Sequence, residues 1–329
     1  MNLKIVFEKA DFLSVRFFDI SIKEIMLIEL EKVKDKFNKE LNSLVLTLKD
    51  NLPLITNKEI ILLIKKAIKI NKNIVLKYKK LKVGKIDINS KEDEEYSSNN
   101  FEPFSSLVKY EKVLNKLNKK IIDKHIKNGV IVMSKKDTYI SPEVTIGKNT
   151  IIKPGVFLLG KTIIGENNTI GPYSSLENFI CGCYNKISWF VSKDSKVGDN
   201  NTLGPFTHFR ENVTIENGNV IGNFNELKSV SLGSNNRMKH LSYFGNVDGG
   251  NQINVGCGVI SANYDGKNKH KTIIEDDVFI GCNSVLVAPV ELKRKSFVAA
   301  QSIINKNLNE YDFAIGRAQQ VIKQQYMKK

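Results

Sequence analysis

IGKNTIIKPGVFLLGKTIIGENNTIGPYSSL, residues 146–176, carries an aliphatic side chain at every sixth position: Ile146, Ile152, Leu158, Ile164, Ile170 and Leu176. The spacing returns at Val197, Leu203, Phe209, Ile215, Ile221 and Leu227, and again at Ile274, Ile280, Leu286, Leu292, Val298 and Ile304. A period of six is neither that of an α-helix nor that of a single strand. It matches a parallel β-helix built from hexapeptides, in which each step makes one short strand and one turn and three steps close a triangular coil. One aliphatic per step then points inward and stacks on the coil below. Glycine follows directly at 147, 165, 171, 198, 204, 222 and 281, as suits a corner with strained dihedrals or close backbone approach. Departures from the period are equally informative. Leu176 to Val197 spans 21 residues, a slip of three, which predicts a loop or irregular coil near 177–196. Leu227 to Ile274 spans 47, one short of a multiple of six, so at least one loop must leave the prism there. Loops on a rigid scaffold are where function concentrates. The flat outer faces of a solenoid make self-association the default.

Glycine also divides the chain. Of 21 glycines, only Gly84 lies in the first 128 residues. Residues 1–128 read as helix with some strand, a reduced α/β region. Residues 25–48 and 60–70 space their apolar side chains by three and four, with Lys and Glu between. The short apolar runs 3–7, 44–46 and 74–76 are candidate strands. Residues 87–106 are acidic and apolar-poor and read as a loop or linker, with helix resuming over about 107–127. The two expected domains are therefore 1–128 and 129–329.

The 329 residues are 41% apolar and 26% charged, enough to bury a core. No apolar run reaches about 18 residues, which excludes a membrane-spanning helix. Glu8 and Asp11 interrupt the N-terminus, arguing against a secretory signal. Four cysteines in a chain this long make no disulfide framework, and the expected compartment is a reducing cytoplasm. The net charge of +15 comes from lysines spread along the whole chain, with no basic block, so no nucleic-acid partner is expected. Cys181 and Cys183 form C-x-C with no second Cys/His pair at zinc spacing, so no metal site is expected.

Residues 129–317 resemble the acetyltransferase half of one family, the bacterial bifunctional N-acetylglucosamine-1-phosphate uridyltransferase/glucosamine-1-phosphate N-acetyltransferases. The resemblance is carried by NGVIVMSKKDTYISPEVTIG, LGPFTHFRENV, IGNFNELKSVSLG, KHLSYFGNVDGGNQINVGCG, ANYDGKNKHKTII, VFIGCNSVLVAPV and FAIGR, in family order. It implies a left-handed parallel β-helix over about residues 130–305 and a homotrimer with sites between neighbours. It also implies acetyl-CoA as co-substrate and glucosamine-1-phosphate as acceptor, with no magnesium needed for the acetyl transfer. His240 matches the general base, whose chemistry suits an imidazole that titrates near 6.5. Glu226 matches the carboxylate that orients it. Arg210 and Lys228 match contacts to the sugar phosphate, and Tyr243 and Asn254 match contacts to the sugar. Lys269 matches a residue near the sugar phosphate and the neighbouring subunit. Asn263 and Tyr264 match residues beside the thioester, where an amide N–H stabilises the developing oxyanion. Cys257, Cys282, Ala300 and Arg317 fall at coenzyme-contacting positions. His125, His208 and His270 have no reading beyond surface or local hydrogen bonding.

The uridyltransferase half of that family opens with a Gly-rich loop that cradles nucleotide phosphates, and residues 1–83 contain no glycine. SLVLTLKDNLPLITNKEIILLIKK, residues 43–66, resembles the strand–turn–helix that holds the family's magnesium-binding Asp; Asn51 falls at that position and Asp50 one before it. Ser97 to Asn100 resembles the family's Asn-Asn before its linker helix. No uridyltransferase activity is expected from this degenerate region. The rival readings are an acetyltransferase for another amino sugar and a non-catalytic trimeric scaffold. Joint retention of His240, Glu226, Arg210, Lys228, Tyr243, Asn254 and Asn263 argues against the scaffold.

Overall fold

The computed structural model describes residues 2–7, 16–17, 20–21, 24, 26–27, 31, 43–48, 57–70, 72–78, 81–88, 90–98, 107–324 and 326. The chain forms two compact units, Met1–Lys124 and His125–Lys329. In the first, a five-stranded sheet runs in the order Asn2–Phe7, Ser43–Leu48, Leu81–Asp87, Asn73–Tyr78, Asp93–Ser97. The two outer pairings are parallel and the two inner ones antiparallel. The helix Asn57–Ile70 buries Ile60, Leu63, Ile64 and Ala67, a stripe at i, i+3, i+4 and i+7.

One open reading is decided and one expectation needs correction. Residues 44–46, which carried both helical spacing and the candidate-strand reading, lie in a strand, Ser43–Leu48, parallel to the first. Asp93–Ser97, inside the acidic stretch read as a loop, is the edge strand of the sheet. Its apolar alternation is missing because lysines on neighbouring elements hold it instead: Lys66 to Glu94 at 2.8 Å, Lys77 to Glu95 at 2.5 Å and Lys85 to Asp93 at 3.0 Å. The buried Asn73 completes the join, donating to the Ser90 carbonyl and Asp93 while accepting from the amides of Ile88 and Ser90. Charged edges of this kind also resist pairing with other chains. Asp50, Asn51, Asn99 and Asn100 lie outside the described residues. The helix expected over 107–127 is present as a 3-10 turn, Leu107–Lys109, followed by Tyr110–Lys127.

The second unit is the parallel β-helix. One face is an 11-stranded parallel sheet from Ile131–Val132 to Phe313–Ala314; the strands of the other two faces are threaded together as 17. Each hexapeptide sends two side chains inward, not one. Thr150 with Ile152, Thr162 with Ile164, Asn168 with Ile170 and Ser284 with Leu286 are all at most 2% exposed. The aliphatic fills the core, and the small polar partner serves the corner. Along one edge these partners make a continuous ladder. The side-chain oxygens of Asn168, Asn185, Asn201, Asn219 and Asn236 each accept the backbone N–H one rung on, at 2.7–2.9 Å. A corner amide that no strand can pair is thereby satisfied.

The stretch 177–196 does not leave the coil. Inward positions continue at Cys181, Ile187 and Ser192 to Val197, in steps of five, six, five and five, so the slip of three is three shortened steps. The aliphatic marker vanished because volume changed places: Phe179 precedes Cys181 and Phe190 precedes Ser192. The rings pack in the core at 5.9 Å (Phe179–Phe190) and 4.9 Å (Phe190–Phe209). The interval 227–274 does contain one departing loop, between Ile260–Ala262 and Thr272–Ile274. The corner glycines serve close approach: a Cβ on Gly147 would lie 2.6 Å from the Gly165 carbonyl carbon. After Gly147, Gly165 and Gly198 the left-handed backbone falls two residues later, at Asn149, Asn167 and Asn200, which tolerate it well, whereas Gly171 and Gly204 are themselves left-handed.

The ladder makes a prediction. Asn201→Ala removes the acceptor for the buried Asn219 amide and should lower stability by about 1–3 kcal/mol, read from the chemical denaturation midpoint. Exposed Lys196→Ala on the same coil should change it by under about 0.5 kcal/mol. Equal effects from the two variants would remove the ladder as a determinant of the fold.

Candidate active site

Strand register builds the site on the second face, which runs through Thr207–Phe209, the first halves of Asn225–Leu232 and Ser242–Gly249, whose second halves turn onto the third face, and Ile260–Ala262. His208 pairs Glu226, Glu226 pairs Tyr243, and Tyr243 pairs Ile260, making one outward row. The Arg210 amide donates to the Leu227 carbonyl, and Lys228 pairs Gly245, making a second row beside it. Two cations therefore stand one rung apart, about 4.8 Å along the coil axis. Arg210 donates to Glu226 at 3.2 Å, and Lys228 to Glu211 at 2.8 Å. The bond to Lys228 holds the Glu211 carboxyl below its ordinary range. Arg210 and Glu226 are 41% and 42% exposed, so their pairing is weak and open to exchange for a phosphate.

Tyr243 and Asn263 converge over Gly245. A Cβ there would lie 2.5 Å from the Tyr243 hydroxyl and 2.9 Å from Asn263 Nδ2. The same Nδ2 donates to Asn246 Oδ1 at 2.6 Å. Gly245, Asn246 and Glu211 were missed in the sequence. For Gly245 the signal was a glycine directly after inward-facing Phe244, within a string otherwise rich in matched residues; Glu211 left no signal.

The departing loop begins at Asn263 and is closed by its own contacts. Tyr264 bridges Lys269, and the His270 amide donates to the Asn263 carbonyl at 2.7 Å. Asp265 accepts from the amides of Asn268 at 2.7 Å and Lys267 at 2.8 Å, and its other oxygen meets His270 Nε2 at 2.7 Å. Lys269 and Tyr264 are held exposed on this hairpin. His270 makes a local hydrogen bond, as the sequence reading allowed, and through it fastens the loop.

His240 stands exposed at the corner that leads into Ser242–Gly249, at the opposite edge of the face from Asn263. Among the described residues none is hydrogen-bonded to its imidazole, and Glu226 is engaged with Arg210 instead. Above His240 the register aligns Met238, Val255, Ile280, Val298 and Ala314. Two residues past each lie His240, Cys257, Cys282, Ala300 and Gly316, a corner column with small side chains above the imidazole. Four rungs span roughly 19 Å. Arg317, next to Gly316, donates to the Ala300 carbonyl and closes the upper end. Asn254 lies one rung above Arg237 on the first face, three residues before Cys257.

The C-x-C pair is no chelate. Cys181 points into the core, where burial pushes its thiol up to about 12, whereas Cys183 accepts the Glu166 amide at the corner. Among the described residues no cluster of three or more His, Cys, Asp or Glu could hold a metal. No described helix is long and apolar enough to cross a membrane.

Residues 194–229 match the family described as bacterial transferase hexapeptide (six repeats). The repeat region is a left-handed parallel β-helix of the hexapeptide-repeat class. Within that class it fits the acetyltransferase half of the bifunctional protein GlmU. The chain is 43% identical to GlmU of Geobacillus sp. (strain WCH70) over 222 residues, 68% of this chain and 48% of that protein. It is 41% identical to GlmU of Listeria monocytogenes over 212 residues, 64% of this chain and 46% of that protein. The chain spans about half the length of the curated relatives it matches. A Francisella novicida UDP-N-acetylglucosamine acyltransferase structure aligns at 19% identity and a TM-score of 0.37, covering 56% of this chain and 66% of that one, too distant to bear on function.

The loop clasp has a pH signature. Amide donation from Asn268, then the bond to His270, then the Lys267 amide hold the Asp265 carboxyl far below its ordinary range. A depressed folded-state value means the clasp's contribution is complete above the unfolded value of about 3.9 and is lost only as pH falls through the lower folded one. In an NMR titration the Asn268 amide shift should show no step at the ordinary carboxylate value. A midpoint near 3.9 would contradict the clasp.

Proposed function

We propose that this chain transfers acetyl from acetyl-CoA to the amino group of glucosamine-1-phosphate, with His240 as general base. The observation that carries the reading is the corner column. It provides one imidazole, then roughly 19 Å of small side chains, then an arginine, a length and chemistry suited to an extended coenzyme arm with phosphates at its far end. The acceptor's phosphate would take Arg210 and Lys228 from Glu226 and Glu211, with Tyr243 and Asn254 contacting the sugar and Lys269 lying near the sugar phosphate and the neighbouring subunit. Glu226, once released, is available to the imidazole. His240 takes the proton from the acceptor nitrogen, which attacks the thioester carbonyl; the C–S bond then breaks and the thiolate leaves with that proton. An N–H from Asn263 or Tyr264 faces the oxyanion.

The column supports the transferase over a scaffold, since packing alone requires neither the imidazole nor the paired cations. His240→Ala should lower coenzyme A release with glucosamine-1-phosphate at least about a hundredfold, the scale of a positioned general base. Near-native turnover by the variant would remove His240 from the mechanism, and faster release with another amino sugar would replace the acceptor. These 329 residues given UTP, magnesium and N-acetylglucosamine-1-phosphate should release no pyrophosphate, because residues 1–83 lack the glycines of a phosphate-cradling loop. The compartment proposed is the cytoplasm, where both substrates would be met.

The assembly proposed is a homotrimer with shared sites. One chain carries His240 and the Asn263 loop at opposite edges of a face, so a neighbouring copy can bring one to the other. An exposed aromatic stripe supports it. The rings of Tyr173, Trp189, Phe206 and Phe224 follow one another at centroid distances of 4.5, 5.2 and 5.4 Å, the first two contacts tilted and the last stacked, all with positive φ, and Leu241 follows beside His240. Bulky side chains in that backbone region are uncommon, and an apolar stripe this long calls for a cover. Phe206→Asp, at an exposed position, should yield a folded monomer by light scattering with coenzyme A release reduced. A monomeric native chain, or a trimer unchanged by the substitution, would overturn the assignment.

A further inference from the structure

We propose that Cys257 and Cys282 form a thiol–disulfide exchange site in the coenzyme corner, accepting low-molecular-weight disulfides and above all the disulfide of coenzyme A; the last preference rests on the proposed coenzyme column. The two cysteines occupy the same corner position on consecutive rungs. Val255 pairs Ile280, two residues before each. The Asn283 amide donates to the Cys257 carbonyl at 2.7 Å, and a Cβ on Gly256 would lie 2.9 Å from the Cys282 Cα. In-register rungs hold their Cα atoms at about 4.8 Å, inside the roughly 4.4–6.8 Å that a disulfide bridges. Neither thiol is buried: Cys282 is exposed and Cys257 half-buried. The remaining pair differs, since Cys181 is sealed in the core and its sulfur is not reachable.

Their place in the column gives the chemistry. His240, one rung below Cys257, can take the thiol proton. The Cys257 sulfur attacks one sulfur of the small disulfide, forming a mixed disulfide and expelling one thiol, which carries the proton away. The Cys282 sulfur then attacks the Cys257 sulfur and expels the second thiol. Two protein thiols are oxidised and one small disulfide is reduced to two thiols. The new cross-link fills the corner between His240 and Ala300, where the coenzyme arm would run. A coenzyme disulfide is the fitting reagent, because each half can lie along the column with its phosphates toward Arg317.

The test uses the full reduced chain and reads mass, not turnover. It is incubated with coenzyme A disulfide or, in parallel, with oxidised glutathione, then analysed by intact mass and peptide mapping. The expected product with the coenzyme disulfide is a chain lighter by two hydrogens, with a Cys257–Cys282 cross-linked peptide and unmodified Cys181. It should form at least about tenfold faster than with glutathione disulfide. Cys282→Ser should stop at one coenzyme adduct on Cys257, and acetyl-CoA should slow the native reaction. Separate adducts on both cysteines, or no cross-link, would overturn the site; equal rates with the two disulfides would overturn the coenzyme preference. A chain that cross-links with the coenzyme disulfide, but whose reduced form releases no coenzyme A from acetyl-CoA with glucosamine-1-phosphate, would keep this site while sinking the proposed acetyl transfer.

Discussion

In-register stacking of short parallel strands fixes the distance from any residue to its counterpart one coil away at about 4.8 Å. Nearly everything in residues 125–329 follows from that constraint. A residue's face, corner or core position is decided by its place in the repeat, and its neighbours are the same position one rung up and one down. Arg210 beside Lys228, Glu226 beside Tyr243, and His240 beneath Cys257 are juxtapositions of register. No long-range loop closure is needed to assemble them, which is how a scaffold with a small turn at every step holds charged groups in fixed order.

The same constraint must be satisfied inside. A coil that repeats every six residues leaves corner amides without strand partners, and the asparagine ladder takes them up one rung at a time. Where the repeat shortens to five, the core keeps its volume by moving the bulk to the other inward position, as with Phe179 before Cys181 and Phe190 before Ser192. The one real interruption, after Ala262, is made rigid by Asp265 and His270, so the residues it carries are held although exposed.

This explains what the sequence disclosed. The β-helix was legible because its period is strict over eighteen apolar positions, seventeen aliphatic and Phe209, and the loop after Ala262 because it breaks that period. Over 177–196 the slip of three left a loop and an irregular coil both open, and the coil with shortened steps was not singled out, because counting one aliphatic per step misses a swap between two inward positions. The acidic strand Asp93–Ser97 was hidden for another reason: lysines on other elements, not apolar alternation, tie it to the sheet. At the site, residue types and their order were readable, but pairing was not. That Arg210 holds Glu226, that Lys228 holds Glu211, and that Gly245 leaves room for Tyr243 and Asn263 depend on which strands become neighbours.

The central claim is that the corner from His240 to Arg317 is the coenzyme's seat. A structure of the chain with coenzyme A bound tests it directly. The account predicts the coenzyme sulfur beside His240, the arm running along Cys257, Cys282 and Ala300, and the phosphates at Arg317. Coenzyme seated on another corner or face, with His240 remote from its sulfur, would contradict the claim.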